Sequence, residues 1–318
     1  MNGQNIRNEL NAAFWSGGWL LGLAFLFSFF VTLLMLTLPM FMLLIYDRVL
    51  TSRSQESLVA LFGLVVLLLV LMGLFDYSRR RILARFGARL QQRLEARVLE
   101  AVEARAPRGR DGSSTSGTKE LDGLRSFFHS GSLVAVFDFI WAPIFLGAVF
   151  LFHPLLGWVA TTGVVVLFAT AGLRAAFSRH LVEDAEAASG QVGRVSRHIQ
   201  DSRRTLVAQA MATPMLEGWL AARKRSRDMA IVLNDRIGWF TTVTRQLRLL
   251  FQAMTLALGA YLILCGQLTV GGMVASVVLL GRVFRPVESL LANLPDVRRA
   301  ASQWQSLDAI LRSAPYIR

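Results

Sequence analysis

Long apolar stretches alternate with arginine-rich segments along the entire chain. Six of the apolar stretches are each close to the roughly 20 residues that a helix needs to cross about 30 Å of hydrocarbon. We predict that each is a transmembrane helix, and we expect the first, which is the longest, to tilt. The predicted spans are residues 17–45, 57–77, 132–152, 154–173, 247–265 and 268–284. The pattern therefore predicts an all-α integral membrane protein.

Two of the predicted spans continue as long helices beyond the membrane. From residue 57 to residue 106 the chain keeps apolar side chains at helical spacing without a proline, which predicts one helix of about 75 Å. Its apolar stripe consists of Ile82, Phe86, Leu90, Leu94, Val98 and Val102. The fourth span is likewise expected to run on to about residue 206 and to return after a turn near Thr213 and Pro214. Two long helical hairpins are therefore predicted.

Prolines and glycines mark the expected interruptions of these helices. The first hairpin is predicted to turn over residues 107–117, where the sequence PRGRDGSSTSG combines proline, glycine and serine. Thr118 is predicted to cap the following helix, because a threonine side chain can accept a hydrogen bond from an N–H of the first turn. Within the first span, Pro39 is expected to kink the helix.

The positive charge is concentrated in alternate connections between the spans. The chain is 54% hydrophobic and 17% charged, with a net charge of +13. Lysine and arginine cluster in residues 78–131, in residues 174–246 and from residue 282 onward, whereas the other connections carry few of them. Positively charged loops remain in the cytoplasm, so we expect both hairpins and both termini there. Membrane topology thus explains the net positive charge. We expect the chain to contact a lipid bilayer and no nucleic acid.

Side chains for a disulfide or a metal centre are scarce. Cys265 is the single cysteine and lies in an apolar stretch, so no disulfide framework is available. The histidines show no paired ligand spacing, and we predict no metal site and no cofactor site in the chain. They are His129, His153, His180 and His198.

Three sequence stretches are distinctive. Residues 38–61 read LPMFMLLIYDRVLTSRSQESLVAL, residues 120–152 contain ELDGLRSFFHSG and FDFIWAPIFLGAVFLF, and residues 281–293 read GRVFRPVESLLAN. In that order they resemble the first external turn, the first coupling segment with the third helix, and the end of the sixth helix in the membrane domain of type I secretion ABC exporters. The resemblance extends over nearly the whole chain, and the combination of YDRVL with FDxxWAPI is fairly specific.

The resemblance implies the type-1 transmembrane fold of ABC exporters and a role as the membrane-spanning half of an ATP-driven protein exporter. It also implies a homodimer in the bacterial inner membrane and a nucleotide-binding domain that uses ATP and Mg²⁺. Further implied partners are a membrane-fusion adaptor protein, a TolC-like outer-membrane protein and an unfolded, secreted protein substrate. The alternatives are export of peptides, lipids or drugs by the same fold, and a scaffold or receptor domain that transports nothing.

The expected domain organisation follows from this resemblance. Residues 17–312 are expected to form the transmembrane domain, after a short cytoplasmic segment at 1–16 and before the start of a linker at 313–318. No GxxxxGK[ST] phosphate loop occurs in the sequence, so we do not expect these residues to hydrolyse ATP by themselves. The nucleotide-binding domain is expected to be either fused to the chain or separate.

By resemblance, the two hairpins are expected to dock on the nucleotide-binding domain. Their tips are predicted at residues 120–131 and at about residues 207–220, with the alternative that these segments lie as amphipathic helices on the lipid surface. The predicted coupling residues are Glu120, Leu121, Asp122, Leu124, Arg125, Phe127, Phe128, Ala210, Met211 and Pro214. The predicted external turn contains Tyr46, Asp47 and Arg48.

Asp138 is an ionisable residue near the start of the third predicted span. A carboxylate is costly in hydrocarbon, so Asp138 should face the protein interior or water. Two interpretations remain open. Asp138 lines the translocation path, with Trp141 and Pro143 shaping the same helix, or it pairs with an arginine of a neighbouring helix. Separately, the second span ends with a predicted ion pair of Asp76 with Arg79 or Arg80.

Overall fold

The computed structural model describes residues 14–105, 114–201 and 212–313, and the regular structure in these ranges is entirely helical. The helices are α1 (Gly18–Leu34), α2 (Thr37–Leu44), α3 (Leu50–Ser52), α4 (Gln55–Arg105), α5 (Ser114–His129), α6 (Gly131–Phe152), α7 (Pro154–Asp201), α8 (Ala212–Leu264) and α9 (Val270–Ser313), with a π-helical turn, Ile45–Val49, between α2 and α3. Six stretches are long and apolar enough to cross a membrane: Gly18–Ser52, Gln55–Val102, Gly131–Phe152, Pro154–Gln200, Thr213–Leu264 and Val270–Arg312. The predicted all-α architecture with six spans is confirmed.

The first span is interrupted just before Pro39. α1 ends at Leu34 and α2 begins three residues later, with Met35 and Leu36 in a turn. Proline has no N–H and its ring collides with the carbonyl four residues earlier, here that of Met35, which disfavours a regular helix at this point. The span then extends beyond its predicted end, and the chain reverses near Arg53, whose φ is 52°.

α4 is a single helix of 51 residues, about 76 Å long. Its first part exposes large apolar side chains such as Val59, Phe62 and Val70, as a lipid-facing surface does. Further along, the predicted apolar stripe is buried in one cluster with residues of α5 and α9, which confirms the predicted continuous helix. The cluster includes Phe86, Leu90, Leu94, Val98 and Val102 of α4, Leu121, Leu124 and Phe128 of α5, and Leu307, Ile310 and Leu311 of α9.

α5 runs antiparallel beside the end of α4. A Cβ atom at Gly117 would lie 2.8 Å from Val102 Cγ2, and a Cβ atom at Gly87 would lie 2.8 Å from Phe128 Cβ. Gly117 therefore allows close helix packing and does not break a helix. The prediction that Thr118 caps this helix is wrong, because residues 114–117 are already helical.

Two of the short connections are stabilised by local hydrogen bonds. Between α6 and α7, His153 Nδ1 accepts a hydrogen bond from the Leu155 N–H at 3.2 Å. Between α8 and α9, Gly266 has a φ of 71°, and the Gln267 N–H donates to the Leu262 carbonyl at 2.9 Å. A left-handed residue that closes such a bond is the usual helix end formed by glycine.

The chain separates into two compact units. One contains the described residues up to Val164 and from Phe251 onward, and the other lies between Val165 and Leu250. In the first unit, α9 packs against α6, α5 and α2, while α4 packs against α1 and α5. The second unit consists of parts of α7 and α8. α8 begins at Ala212, and Thr213 and Pro214 lie in its first turn, so the predicted turn at these residues is wrong. Proline is tolerated there because the first turn does not need its N–H.

Candidate functional site

Arg79 of α4 is buried, with only 2% of its side chain exposed. Its Nε donates a hydrogen bond to Asp76 Oδ1 at 2.8 Å, and its Nη1 donates to Ser28 Oγ of α1 at 3.0 Å. On α6, Asp138 Oδ1 lies 2.5 Å from Nη1, and Asp138 Oδ2 lies 3.4 Å from Nη2. Arg79 thus connects three helices. We call Arg79, Asp76, Asp138 and Ser28 the Arg79 network.

The charges around Arg79 are balanced. Arg80, which is largely exposed, donates to Asp76 Oδ2 at 2.9 Å, so two guanidinium groups face two carboxylates. Asp76 therefore pairs with both predicted arginines. A buried charge is tolerated only when it is paired and hydrogen-bonded, because transfer of an isolated ion out of water is very costly. The network consequently favours one arrangement of α1, α4 and α6.

Asp138 pairs with an arginine of a neighbouring helix, as one of the two interpretations of this residue predicts. One turn further along α6, Trp141 packs against Phe25 and Phe29 of α1, with ring centroids 4.8 Å apart in each pair. Pro143 lies inside α6, which continues through it, and its side chain is exposed. An aromatic contact between α1 and α6 therefore lies one turn from the ion pair between α4 and α6.

The predicted coupling residues of the first hairpin divide between two faces of α5. Leu121, Leu124 and Phe128 are buried against α4 and α9. Asp122 and Arg125 are exposed on the other face, and Phe127 and Glu120 are partly buried. Segment 120–131 forms an arm of the hairpin beside α4, so its prediction as the tip is wrong. The physical reason is that its apolar spacing matches the α4 stripe and is buried against it.

Gln91 of α4 connects the two exposed coupling candidates. Its Nε2 donates to Asp122 Oδ1 at 3.1 Å, and its Oε1 accepts from Arg125 Nη1 at 3.2 Å. In the second hairpin, Pro214 is exposed in the first turn of α8. Ala210 and Met211 lie outside the described residues.

A second polar contact joins the end of the first span to the start of α9. Asp47 Oδ2 accepts a hydrogen bond from Thr269 Oγ1 at 2.7 Å, and Asp47 Oδ1 accepts from the Gly271 N–H at 2.9 Å. Thr269 Oγ1 in turn accepts from the Gly272 N–H at 3.0 Å. Since the first N–H groups of a helix have no partner within the helix, these contacts satisfy two of them. We call Asp47, Thr269 and Gly271 the Asp47 clasp.

The Asp47 clasp leaves no room for a side chain at Gly271. A Cβ atom there would lie 2.6 Å from Asp47 Oδ1 and 2.7 Å from the Leu43 carbonyl oxygen. Asp47 itself belongs to the π-helical turn, a distortion that changes which direction a side chain faces and that often occurs at functional sites. The predicted external-turn residues Tyr46, Asp47 and Arg48 all lie in this helical turn, before the chain reversal near Arg53.

Sequence reasoning did not single out Ser28, Thr269 or Gly271. A serine within an apolar span indicates only weakly that a polar contact exists. Its side chain needs a hydrogen-bond partner in such surroundings, but the sequence does not say which one. Thr269 just before a helix is a recognisable capping signal. Nothing in the sequence indicated which residues of other helices these three residues would contact. Within the described ranges, no group of three or more His, Cys, Asp or Glu side chains is arranged to hold a metal ion.

The family described as ABC transporter transmembrane region matches residues 21–287. The chain belongs to this family. The match extends from within the first span to within the sixth, and it covers both the Arg79 network and the Asp47 clasp.

Individual relatives of this ABC transporter region are proteins of type I secretion. The chain is 30% identical over 289 residues to the type I secretion system ATP-binding protein PrsD of Rhizobium meliloti (strain 1021), covering 91% of this chain and 50% of that protein. It is 26% identical over 303 residues to the leukotoxin export ATP-binding protein LtxB of Aggregatibacter actinomycetemcomitans and 25% identical over 300 residues to the alpha-hemolysin translocation ATP-binding protein HlyB of Escherichia coli. In both cases the match covers 90% of this chain and 41% of the relative. The chain thus spans half or less of the length of these relatives.

Proposed function

We propose that the chain is the membrane-spanning half of an ATP-driven type I protein secretion exporter. The observation that carries the proposal is the similarity to PrsD over 91% of the chain. The long helices support it, since α4, α7 and α8 are each about twice as long as a bilayer requires. Rigid helices of this length can transmit a movement from a nucleotide-binding domain to the membrane. The proposed substrates are unfolded proteins with export signals near their C termini.

The proposed assembly is a homodimer whose twelve spans enclose the translocation path. Large apolar side chains on α7 and α8, such as Trp158, Leu249 and Leu256, are exposed and available to lipid or a second copy. ATP and Mg²⁺ bind to the nucleotide-binding domain, fused or separate. A membrane-fusion adaptor and a TolC-like outer-membrane protein complete the route.

The proposed location is the bacterial inner membrane, with both termini in the cytoplasm. Support comes from α4, where Arg81, Arg85 and Arg89 are exposed just beyond the apolar part of the helix. Arginine-rich segments next to a span remain on the cytoplasmic side. This orientation places the hairpins toward the nucleotide-binding domain and the Asp47 clasp on the opposite side of the membrane.

Two groups of residues receive roles in this proposal. Asp122 and Arg125, exposed on α5, and Pro214, exposed on α8, contact the nucleotide-binding domain, together with Ala210 and Met211. Asp138, Trp141 and Pro143 border the translocation path from α6. The pairing of Asp138 with Arg79 means that a movement of α6 relative to α4 must break or carry along a buried ion pair.

ATP hydrolysis tests the proposal directly. The full-length protein, with its nucleotide-binding domain, is placed in lipid nanodiscs, and its hydrolysis rate is measured with a C-terminal fragment of a protein secreted by the same bacterium. We expect this fragment to change the rate, because substrate binding and nucleotide turnover are coupled in an exporter. A fragment of the same composition in scrambled order is the control and should have no effect.

Two outcomes would contradict the proposal. A response to lipids or drugs combined with no response to any secreted protein would favour the other export classes, and no response at all would favour a scaffold or receptor. Topology is tested separately with single cysteines at positions 89 and 197. Labelling of either position by a reagent that cannot cross the membrane, added to intact spheroplasts, would contradict the proposed orientation.

A further inference from the structure

Two arginines place positive charge inside the last membrane span. Counted from a membrane edge at Val270, Arg282 lies about 18 Å along α9, which is inside about 30 Å of hydrocarbon and just before the predicted end of the span at residue 284. Arg285 lies one turn further. Arg282 is partly buried and Arg285 is exposed. A charged side chain at such a depth must face water, the protein interior or an opposite charge, and it is a functional candidate for that reason.

Neither arginine has a counter-charge in the described part of the chain. No carboxylate there lies within the 4.0 Å ion-pair distance of either guanidinium group. Glu288, the next acidic residue along α9, takes part in an interaction with another residue. Arg282 and Arg285 also stand at i and i+3, where like charges repel. The pair is therefore a cationic site whose charge the described residues leave uncompensated.

The two arginines share one face of α9, and the opposite face is packed. Leu280, Phe284 and Val287, on the far side of the helix, are each at most 2% exposed. At 100° per residue, Arg282 and Arg285 point roughly opposite to these three side chains. The arginine face is thus the one that the packing of the first unit leaves open.

Further polar groups lie beside this face. Pro286 has no N–H, so the carbonyl of Arg282 lacks its normal helical hydrogen bond. Gly281 allows Gln252 of α8 to approach, and a Cβ atom at Gly281 would lie 3.1 Å from Gln252 Nε2. Donors and acceptors at this depth favour a hydrated surface over contact with lipid chains.

We propose that Arg282 and Arg285 bind carboxylate side chains of the translocating polypeptide, so that acidic segments are preferred cargo. This inference rests on the proposed function. Guanidinium groups bind carboxylates through charge-assisted, often paired hydrogen bonds, and they do so most strongly away from bulk water. A lipid phosphate is a poorer fit, because Arg282 lies about 12 Å short of the far edge of the hydrocarbon.

The test compares two substrates and two kinds of variant in the full-length exporter, expressed with its adaptor and outer-membrane protein. One substrate is a natural secreted protein, and the other is the same protein with the Asp and Glu residues of one segment changed to Asn and Gln. With Arg282→Gln/Arg285→Gln we expect secretion of the natural substrate to fall at least about fivefold, and secretion of the neutralised substrate to fall less than about twofold. Arg282→Lys/Arg285→Lys should retain most of the secretion of both.

Arg298→Gln is the matched control, since Arg298 is exposed further along the same helix. It should leave the preference between the substrates unchanged. The single variant Arg285→Gln, at an exposed position, repeats the comparison if the double variant does not reach the membrane.

Several results would overturn the inference. An equal loss for both substrates would assign the arginines a structural role. A variant effect that follows the phosphatidylglycerol content of nanodiscs and not the substrate would identify a lipid site, and a loss of dimer would identify a contact between copies. If the unaltered exporter secretes no protein at all, the proposed function fails, and this inference fails with it.

Discussion

The Arg79 network and the Asp47 clasp both contain carboxylates and both join the first span to other helices, but they differ in the partners of their carboxylates. In the Arg79 network a buried guanidinium group faces two acids. In the Asp47 clasp the partners are a hydroxyl group and the N–H of a helix start. Removal of one member of a buried ion pair leaves a charge without compensation, whereas a partly exposed carboxylate regains water. The network should therefore be the more sensitive site.

The two sites also hold the first span at different levels. Ser28 and Asp47 would be about 28 Å apart along a continuous helix. Near Ser28 the span is joined to α4 and α6, and at Asp47 it is joined to α9. Because they share no partner, mutations at the two sites should have additive effects on stability. Single substitutions can therefore measure the contribution of each site to stability separately.

The largest effect is expected from Arg79→Leu. This change leaves Asp76 and Asp138 facing each other with only the exposed Arg80 for compensation, and it should lower the free energy of unfolding by about 3–5 kcal/mol. Thermal unfolding of the detergent-purified protein measures the loss. The double variant Arg79→Leu/Asp138→Leu removes both charges and should recover much of it.

Arg80→Gln is the control for this substitution. Its side chain is 56% exposed and bonds the same carboxylate, so its loss should cost less than about 1 kcal/mol. Equal destabilisation by the Arg79 and Arg80 variants would mean that burial does not set the strength of the network.

Asp138→Asn should have the next largest effect. The amide keeps the shape and one acceptor but leaves Arg79 paired with Asp76 alone, which should cost about 1–3 kcal/mol. Export per folded molecule separates the two interpretations of Asp138. If the residue acts only through Arg79, export falls in step with the amount of folded protein in the membrane. A loss of export at unchanged stability and amount would instead place Asp138 in the translocation path.

The sequence predicted much more of the Arg79 network than of the Asp47 clasp. Asp138 was identifiable because a carboxylate in an apolar span must find a partner. The pairing of Asp76 with Arg79 and Arg80 followed from helical spacing alone. The burial of Arg79 could not be predicted, because α4 contains eight arginines and only packing distinguishes them. The Asp47 clasp joins residues more than 200 positions apart through an irregular π-helical turn, and helical spacing says nothing about such a contact.

The helices themselves were predictable to the extent that hydrophobic spacing controls them. The long α4 helix and its buried stripe follow directly from the sequence. The hairpin tips do not, because glycine and proline have two meanings. Gly117 belongs to a stretch whose composition predicts a turn, but it allows close packing against Val98 and Val102. Pro214 is likewise predicted in a turn, but it lies in the first turn of α8. Only the neighbouring helix decides between these meanings.

Gly271→Ala should disrupt the Asp47 clasp by steric contact. Alanine in place of a helical glycine normally stabilises a protein slightly, but here the added Cβ would collide with Asp47 Oδ1 and the Leu43 carbonyl. We expect a loss of about 1–3 kcal/mol in thermal unfolding. Gly147→Ala is the matched control, because a Cβ atom at this glycine of α6 would meet no other atom within 4 Å. Equal behaviour of the two variants would show that the clasp imposes no steric requirement.

Asp47→Ala should have the smallest effect of the four. It removes the acceptor of the Thr269 hydroxyl, which is exposed and can bond to water, and of the N–H of Gly271, which is buried, so the expected cost is about 1 kcal/mol. Asp47→Asn keeps one acceptor oxygen and should cost about half as much. A double-mutant cycle of Asp47→Ala with Thr269→Ala should give a coupling energy above about 0.5 kcal/mol, whereas the cycle of Asp47→Ala with Arg79→Leu should give none. A coupling energy in the second cycle would mean that the first span transmits strain between the two sites, which would then not be independent.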